Sequence, residues 1–560
     1  MRPARVTSVV QSPRFGDDWW QRGVVYQIYP RSFADSDGNG IGDLRGIIDH
    51  LDYLGPDWLG VDAIWLSPIY PSPGLDLGYD VSDHEATDPL YGSEDDFDEL
   101  VAQAHRRGIR VILDLIMNHT SDTHRWFEAS RLDRTGPFAD WYLWRDPSGN
   151  GPAGDLLPPN NWVSYFGGPG WVWEPRRGQF YYHTFLVEQP ELNWRAPGLE
   201  DAEWRMVRGW LDRGVDGFRL DVFNSFLKHP DLPSNPTKPG STAWERQVHV
   251  YDRDQPDFPA LIGRFRAILD EEPGRMSVGE LFDGTVQAAA ELTTDRHLVF
   301  DWELVGARWT ARAINAAIAT REATFGPNRW PTALLSNHDQ PRHASRLADN
   351  VGATDRDAVA RAAAILVLTL RGTPFLFYGE ELGLHDVDIP HEESVDPPAT
   401  RVAPDFDWWD RSRCRTPMPW SPGPGAGFTA GRPWLRFGPD ADTRNVQAQA
   451  ADPDSVLSLY RRLIAVRAAT PALQVGAFHA LSDADSDIVA YTRESAGQTI
   501  LVLVNPGRVG ASWQLPVRRP WTGWRRLIGT SRTASPDEVL PAGSTIALDA
   551  DDGLVLEAVA

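Results

Sequence analysis

The 560 residues include a single cysteine, Cys414, so a framework of internal disulfides is excluded and a reducing compartment is suited. Positive charge is also scarce. Lys and Arg number 54 against 78 Asp and Glu, a net charge of −24. Such a chain repels an extended phosphate backbone or an anionic lipid surface. Nucleic acid and membrane are therefore poor partners, and a small neutral ligand fits better. Long apolar runs are missing: the most apolar stretch, AAAILVLTL (362–370), is far short of the ~20 residues that span a bilayer. The N-terminus MRPARVTSVVQSPRFGDD is basic but has no apolar segment of signal-peptide length. Repeats and low-complexity segments are absent. The expectation is a cytoplasmic protein, a monomer or weak homo-oligomer.

What is present points to a large globular chain with more than one domain. The 24 Trp, 22 Phe and 14 Tyr supply aromatic faces that suit sugar rings, although most belong to the interior. Eight short apolar runs recur, beginning at residues 24, 62, 111, 217, 276, 298, 332 and 374. Helical patterns such as EDDFDELVAQAHRRG (94–108) and DAVARAAAILVLTLRG (357–372) lie between them. Strands alternating with helices predict a parallel sheet covered on both faces, and eight of them predict a closed (β/α)8 TIM barrel. The stretch from 119 to 198, rich in Pro, Gly, Asn and Trp, is too long for a simple crossover and reads as a small inserted domain after strand three. From 475 to 560, segments such as TILVLVNPG predict a C-terminal antiparallel β domain, which leaves 1–118 and 199–474 for the barrel.

GVDGFRLDVFN (214–224) carries the functional signal. Side chains two apart on a strand share a face, so Arg219 and Asp221 would point together from an otherwise apolar run. Burying charges is unfavourable unless they are paired or used. Four of the eight runs end this way, with Asp114 and His119, Asp221, Glu280, and His338 and Asp339. One acid at a strand end is ordinarily a helix cap or structural ion pair. Several converging on the C-terminal face of one barrel mark a catalytic site.

At these residues the chain resembles glycoside hydrolase family 13, the α-amylase family, through DLIMNH (114–119), GFRLDV (217–222), GELF (279–282) and SNHD (336–339). QPELN (189–193) and RTPMPW (415–420) resemble its oligo-1,6-glucosidase and α-glucosidase members. The resemblance implies Asp221 as nucleophile, Glu280 as general acid/base, and Asp339 as a third acid gripping the sugar hydroxyls. A retaining glycosidase needs one ionised and one protonated carboxyl, about 5 Å apart. Arg219 would hold the nucleophile ionised, and His119 and His338 would contact the sugar. DLGYD (76–80) resembles a segment in which Asp76 binds the terminal glucose and Tyr79 stacks beneath it. Arg415 would contact the same sugar, Arg411 would rim the pocket, and Phe166 would wall it. A pocket closed in this way implies exo-cleavage of short neutral oligosaccharides.

DSDGNGIGD (35–43) sets Asp35, Asp37, Asn39 and Asp43 at alternating positions, an oxygen set suited to Ca²⁺ or Mg²⁺, although a metal-free turn is an alternative. The resemblance adds the Ile41 carbonyl and makes the ion structural. No organic cofactor is expected. Val222, after the nucleophile, leans toward α-1,6 linkages, while DIPHEESVDPPATR (388–401) looks more like broad α-glucosidases. Transglucosylation and sucrose or trehalose chemistry would use the same acids. A non-catalytic relative would have no reason to keep them.

Overall fold

The computed structural model describes residues 14–401, 409–530 and 537–560. Most of the N-terminal stretch MRPARVTSVVQSPRFGDD lies outside the described residues.

Eight strands form one parallel sheet: β1 (Val25–Ile28), β2 (Ala63–Leu66), β3 (Arg110–Leu115), β4 (Gly217–Leu220), β5 (Met276–Gly279), β6 (His297–Val299), β7 (Thr332–Ala333) and β8 (Thr373–Phe377). Their order is β6-β5-β4-β3-β2-β1-β8-β7, that of a (β/α)8 barrel. The ladder does not bridge β6 and β7. There the Asp301 N–H donates to Thr332 Oγ1 at 2.9 Å. The run expected as the seventh strand is mostly loop, because only Thr332 and Ala333 pair with β8 before the chain turns out toward His338.

The period of two along each strand divides the apolar residues into two cores. Phe218, Leu220, Val111, Leu113 and Leu115 face the surrounding helices. Val25, Trp65, Ile112, Met276, Val278, Leu298 and Phe375 fill the barrel interior, with Trp19 and Trp20 packed against them. The helix Glu94–Arg106 shows how the outer layer is specified. Phe97, Leu100, Val101 and Ala104 line its buried stripe, and Ser93 and Asp96 close a reciprocal capping box at its start. The helix Arg356–Thr369, holding AAAILVLTL, is buried along nearly its whole length. Its apolar run is therefore interior, and among the described residues no helix is long and apolar enough to cross a membrane.

Between β3 and the helix Leu199–Asp212 lie a three-stranded antiparallel sheet (Trp144–Arg145, Gln179–Tyr182, Trp171–Glu174) and a two-stranded one. Glu191 of QPELN ties this segment to the barrel. It is buried and accepts from Asn118 Nδ2 (2.6 Å), Thr184 Oγ1 (2.7 Å) and Lys228 Nζ (3.0 Å). Removing one member of such a buried pair leaves an uncompensated charge, so the insert is held rigidly over the strand ends. After residue 476 a six-stranded and a two-stranded antiparallel sheet follow.

Candidate active site

Arg219 sits opposite Asp114 in the β3–β4 register and points into the barrel, fully buried above the Trp65 ring (5.5 Å to its centroid). Its Nη1 donates to Asp114 Oδ1 at 2.7 Å and to Asp221 Oδ1 at 2.6 Å, and its Nη2 donates to Glu280 Oε2. One guanidinium therefore bridges three strand-end carboxyl groups. Backbone bonds fix the two at the pocket wall: the Asp221 N–H donates to the Leu115 carbonyl (3.1 Å) and the Glu280 N–H to the Leu220 carbonyl (2.9 Å).

The environments separate these acids. Burial raises the Glu280 carboxyl to about 8; Arg219 opposes the shift, while Asp221, Asp339 and Asp114 add to it. Glu280 is therefore largely protonated at neutral pH. Burial also raises Asp221, but Arg219 counters it by charge and by hydrogen bond. Asp339 goes the other way. Burial alone would raise it, yet the cationic groups around it carry it well below the usual carboxylate range. His338 is driven strongly to its neutral form by burial, so the permanent charges of Arg411 and Arg415 hold Asp339 ionised.

Behind the acids runs a one-directional polar chain. Gln27 Nε2 donates to His338 Nδ1 (2.8 Å), which leaves the His338 proton on Nε2 to meet the Tyr79 hydroxyl (2.5 Å). Tyr79 donates in turn to Asp114 Oδ2 (3.0 Å), and its ring stacks on His338 at 3°. Asp114 is raised to about 7 by burial, against the pull of Arg219. The chain joins β1, the β7 loop, the loop after β2 and β3, and it locks Tyr79 and the imidazole in place.

The pocket over these groups has a cavity of about 370 Å³. Asp76, Tyr79, His119, Phe166, Asp221, Glu280 and Asp339 line it, all of them expected from the sequence. Arg219, His338 and Arg415 do not. Each is fully buried, one layer behind the wall. The sugar contacts expected of His338 and Arg415 thus start from side chains that stand behind the wall, with His338 Nε2 3.1 Å from Asp339 Oδ2. Arg415 instead donates to Asp339 Oδ1 (2.7 Å) and to the His338 carbonyl (2.7 Å) from behind.

Arg411 takes the place foreseen for Arg415 and does more than rim the pocket. Its Nη1 donates to Asp339 Oδ1 (2.9 Å), its Nη2 to Asp76 Oδ1 (3.1 Å) and its Nε to Asp396 Oδ1 (2.9 Å). Asp76, also held by Gln189 Nε2 (3.0 Å), is raised to about 6 by burial, with Arg411 opposing. The exchange has a geometric cause. Asp396 anchors the Arg411 guanidinium at the pocket wall, while Arg415 stands fully buried behind it.

The sequence reading missed Trp302, Phe282, Tyr165 and Phe185, which make the outer wall aromatic. Phe282 packs against Tyr165 (4.7 Å) and Phe185 (5.2 Å). Phe282 and Trp302 could have been found by proximity to strand ends, since Phe282 lies two residues after Glu280 and Trp302 just after β6; Tyr165 directly precedes Phe166 in the insert. Val222 adopts φ 36°, a left-handed conformation unfavourable for a β-branched residue. That turn carries the chain away from Asp221 and into the short helix Phe223–Ser225.

The loop at 35–43 lies elsewhere. Carboxylate oxygens of Asp35, Asp37 and Asp43 come within 4.8 Å of one another. Asp35 and Asp43 are buried and Asp37 is exposed. Among the described residues none of the three pairs with Lys or Arg. The oxygen-only donors fit a hard divalent cation. Asn39 Oδ1 accepts from the Ile41 N–H at 2.8 Å, which tightens the turn.

Known proteins resemble the chain over nearly its whole length. The family model described as α-amylase, catalytic domain, matches residues 27–476. A probable α-glucosidase of Rhizobium meliloti (strain 1021) is 41% identical over 518 residues, 90% of this chain and 92% of the relative. A trehalose-6-phosphate hydrolase of Escherichia coli (strain K12) is 38% identical over 549 residues, 92% of this chain and 96% of the relative. The crystal structure of an α-glucosyl transfer enzyme superposes with a TM-score of 0.86 at 39% identity, covering 98% of this chain and 100% of that one. With this barrel and these strand-end acids, the chain belongs to the α-amylase family, glycoside hydrolase family 13, and is a glycoside hydrolase.

Proposed function

We propose that the enzyme is an exo-acting, retaining α-glucosidase that releases terminal glucose from short α-glucosides of the maltose and isomaltose type. The observation that carries this reading is the single guanidinium of Arg219 bridging Asp221 and Glu280. Carboxyls held by neighbouring nitrogens of one planar group favour the ~5 Å spacing of retaining enzymes over the ~6.5–9.5 Å that makes room for a water in inverters. Asp221 attacks the anomeric carbon while Glu280 gives its proton to the departing oxygen. Glu280 then takes a proton from water as the glucosyl–Asp221 ester is hydrolysed. Asp339, kept ionised by two arginines, accepts bonds from the sugar hydroxyls as the ring distorts. Asp76 and Arg411 close the far end of the pocket, which supports removal of one glucose at a time.

Transfer of the glucosyl group to a second sugar is a further reading. The same acids serve it, and the aromatic outer wall offers a surface on which an acceptor can stack. A structural Ca²⁺ or Mg²⁺ in the 35–43 loop and a cytoplasmic location complete the proposal. The first rests on three carboxylates whose oxygens lie within 4.8 Å of one another and the second on a single buried cysteine.

The test is glucose release from maltose and isomaltose, in parallel, by wild type and Asp221→Asn. Wild type should release glucose from at least one, and the variant should release none while keeping the wild-type unfolding curve. Full activity in the variant would overturn the nucleophile assignment.

A further inference from the structure

The β4–β5 ladder ends where the reacting carboxyls begin, at Leu220 paired with Gly279. Past that point the two chains stay joined. The Glu280 N–H donates to the Leu220 carbonyl (2.9 Å), and the Phe223 N–H donates to the Glu280 carbonyl (3.1 Å). The left-handed turn at Val222 then carries one backbone away. A side chain takes over from it. Asn224 Oδ1 accepts from the Phe282 N–H (2.8 Å), and Asn224 Nδ2 donates to the Phe282 carbonyl (3.2 Å). The Phe282 N–H needs an acceptor, which fixes the amide with its oxygen on that side. A carboxamide offers the donor and acceptor of a peptide group, so the ladder gains one more rung.

Asn224 is itself held. It is fully buried, its carbonyl accepts from the Asp254 N–H (2.9 Å), and its Nδ2 also donates to Asp254 Oδ1 (2.9 Å). Arg253 Nη1 donates to the same Phe282 carbonyl at 2.9 Å. Glu280 therefore stands between two fixed points, its own backbone bonds to the nucleophile strand and the clamp on Phe282. Asn224 does not line the pocket, so it acts on the sugar only through this segment.

We infer that Asn224 is a positioning residue, which through Phe282 holds the Glu280 carboxyl where its proton reaches the leaving oxygen, a role that rests on the α-glucosidase reading of Asp221 and Glu280. As Asp221 attacks, the C–O bond breaks, its electron pair goes to the leaving oxygen, and that oxygen takes the Glu280 proton. A departing fluoride needs no such proton. Misplacing Glu280 therefore slows glucosides with basic leaving groups and spares α-glucosyl fluoride.

The experiment measures kcat/KM for α-glucosyl fluoride and for whichever of maltose, isomaltose and sucrose the wild type cleaves fastest. The variants are Asn224→Leu, Asp254→Gly and Glu280→Gln. Asn224→Leu keeps the shape and removes both bonds to Phe282; its kcat/KM should fall about 10²-fold on the disaccharide and stay within about threefold on the fluoride. A role in stability alone would lower both by one factor, and an unchanged ratio would overturn the proposal. Should that variant fail to fold, Asp254→Gly carries the test. Position 254 is exposed at φ 53°, which glycine suits, so its backbone bond stays and its hold on Nδ2 is lost. There the ratio of disaccharide to fluoride should fall about fivefold, and a wild-type ratio would overturn the proposal. Glu280→Gln separates the two readings. If it cleaves the disaccharide as fast as the wild type, the acid assignment falls and the proposal with it. If it does not, and the other variants keep the wild-type ratio, the proposal alone falls.

Discussion

Replacing Arg411 by Met should weaken both activity and stability, and the stability loss should depend on pH in a defined direction. Met keeps much of the side-chain volume and removes the charge. Asp396, fully buried, loses the guanidinium that contacts it at 2.8 Å. Asp76 loses the cation at 3.1 Å and keeps only Gln189. Asp339 keeps Arg415. Breaking a buried pair from one side costs about 3–5 kcal/mol, because the remaining charge is uncompensated. With Asp76 and Asp339 no longer oriented by that cation, kcat/KM should fall about 10²-fold.

Burial already holds Asp76 at about 6 in the fold, above its ordinary value of 3.8, and Arg411 is the main opposing influence. Without Arg411 the folded value rises further. A carboxyl whose folded pKa exceeds its unfolded one favours the protonated protein. Its penalty is absent below about pH 4, grows as pH rises through the folded pKa, and is then constant. In the wild type that window closes near 6, and in the variant it extends higher. Urea unfolding at pH 5 and pH 8 should therefore show a larger deficit at pH 8, and glucose release from maltose should report the loss in kcat/KM. Activity within threefold of wild type, together with equal deficits at both pH values, would refute the reasoning.

Three further outcomes are expected. The kcat/KM should fall as pH rises through about 8, where Glu280 loses its proton; Glu280→Gln should lower kcat by about 10²–10⁴ and remove that limb from the residual rate. Val222→Ala should shift the ratio of isomaltose to maltose hydrolysis toward maltose; because Ala at φ 36° keeps the backbone strain and loses packing against Phe166 and Phe185, stability should fall by about 1 kcal/mol, read by urea midpoint. Calcium at 100-fold its Kd should stabilise the wild type by about 2.7 kcal/mol, whereas the exposed substitution Asp37→Ala should abolish the calcium-dependent rise in Tm and leave kcat unchanged.

The architecture was legible because the barrel is written in local patterns. GFRL alternates outward Phe218 and Leu220 with inward Arg219, and EDDFDELVAQAHR carries both its stripe and its cap. The acids were legible for a related reason: charges at the end of an apolar strand are too unfavourable to be idle, and four such ends point to one face. The break between β6 and β7 was not legible, because TALLSNHD has strand composition whether or not a neighbour pairs with it. Nor could spacing choose between Arg411 and Arg415. Only the fold shows Arg411 anchored by Asp396 at the pocket wall and Arg415 fully buried behind it.

By itself, the sequence determined the strand and helix periods, the absence of disulfides, and which carboxylates stand at strand ends, since each depends on residues within a few positions of one another. The tertiary structure decided the rest. It set which groups line the pocket and which stand behind it, and how far each carboxyl departs from its ordinary pKa. These depend on burial and on partners from distant segments, which act on a side chain only after the barrel has closed around it.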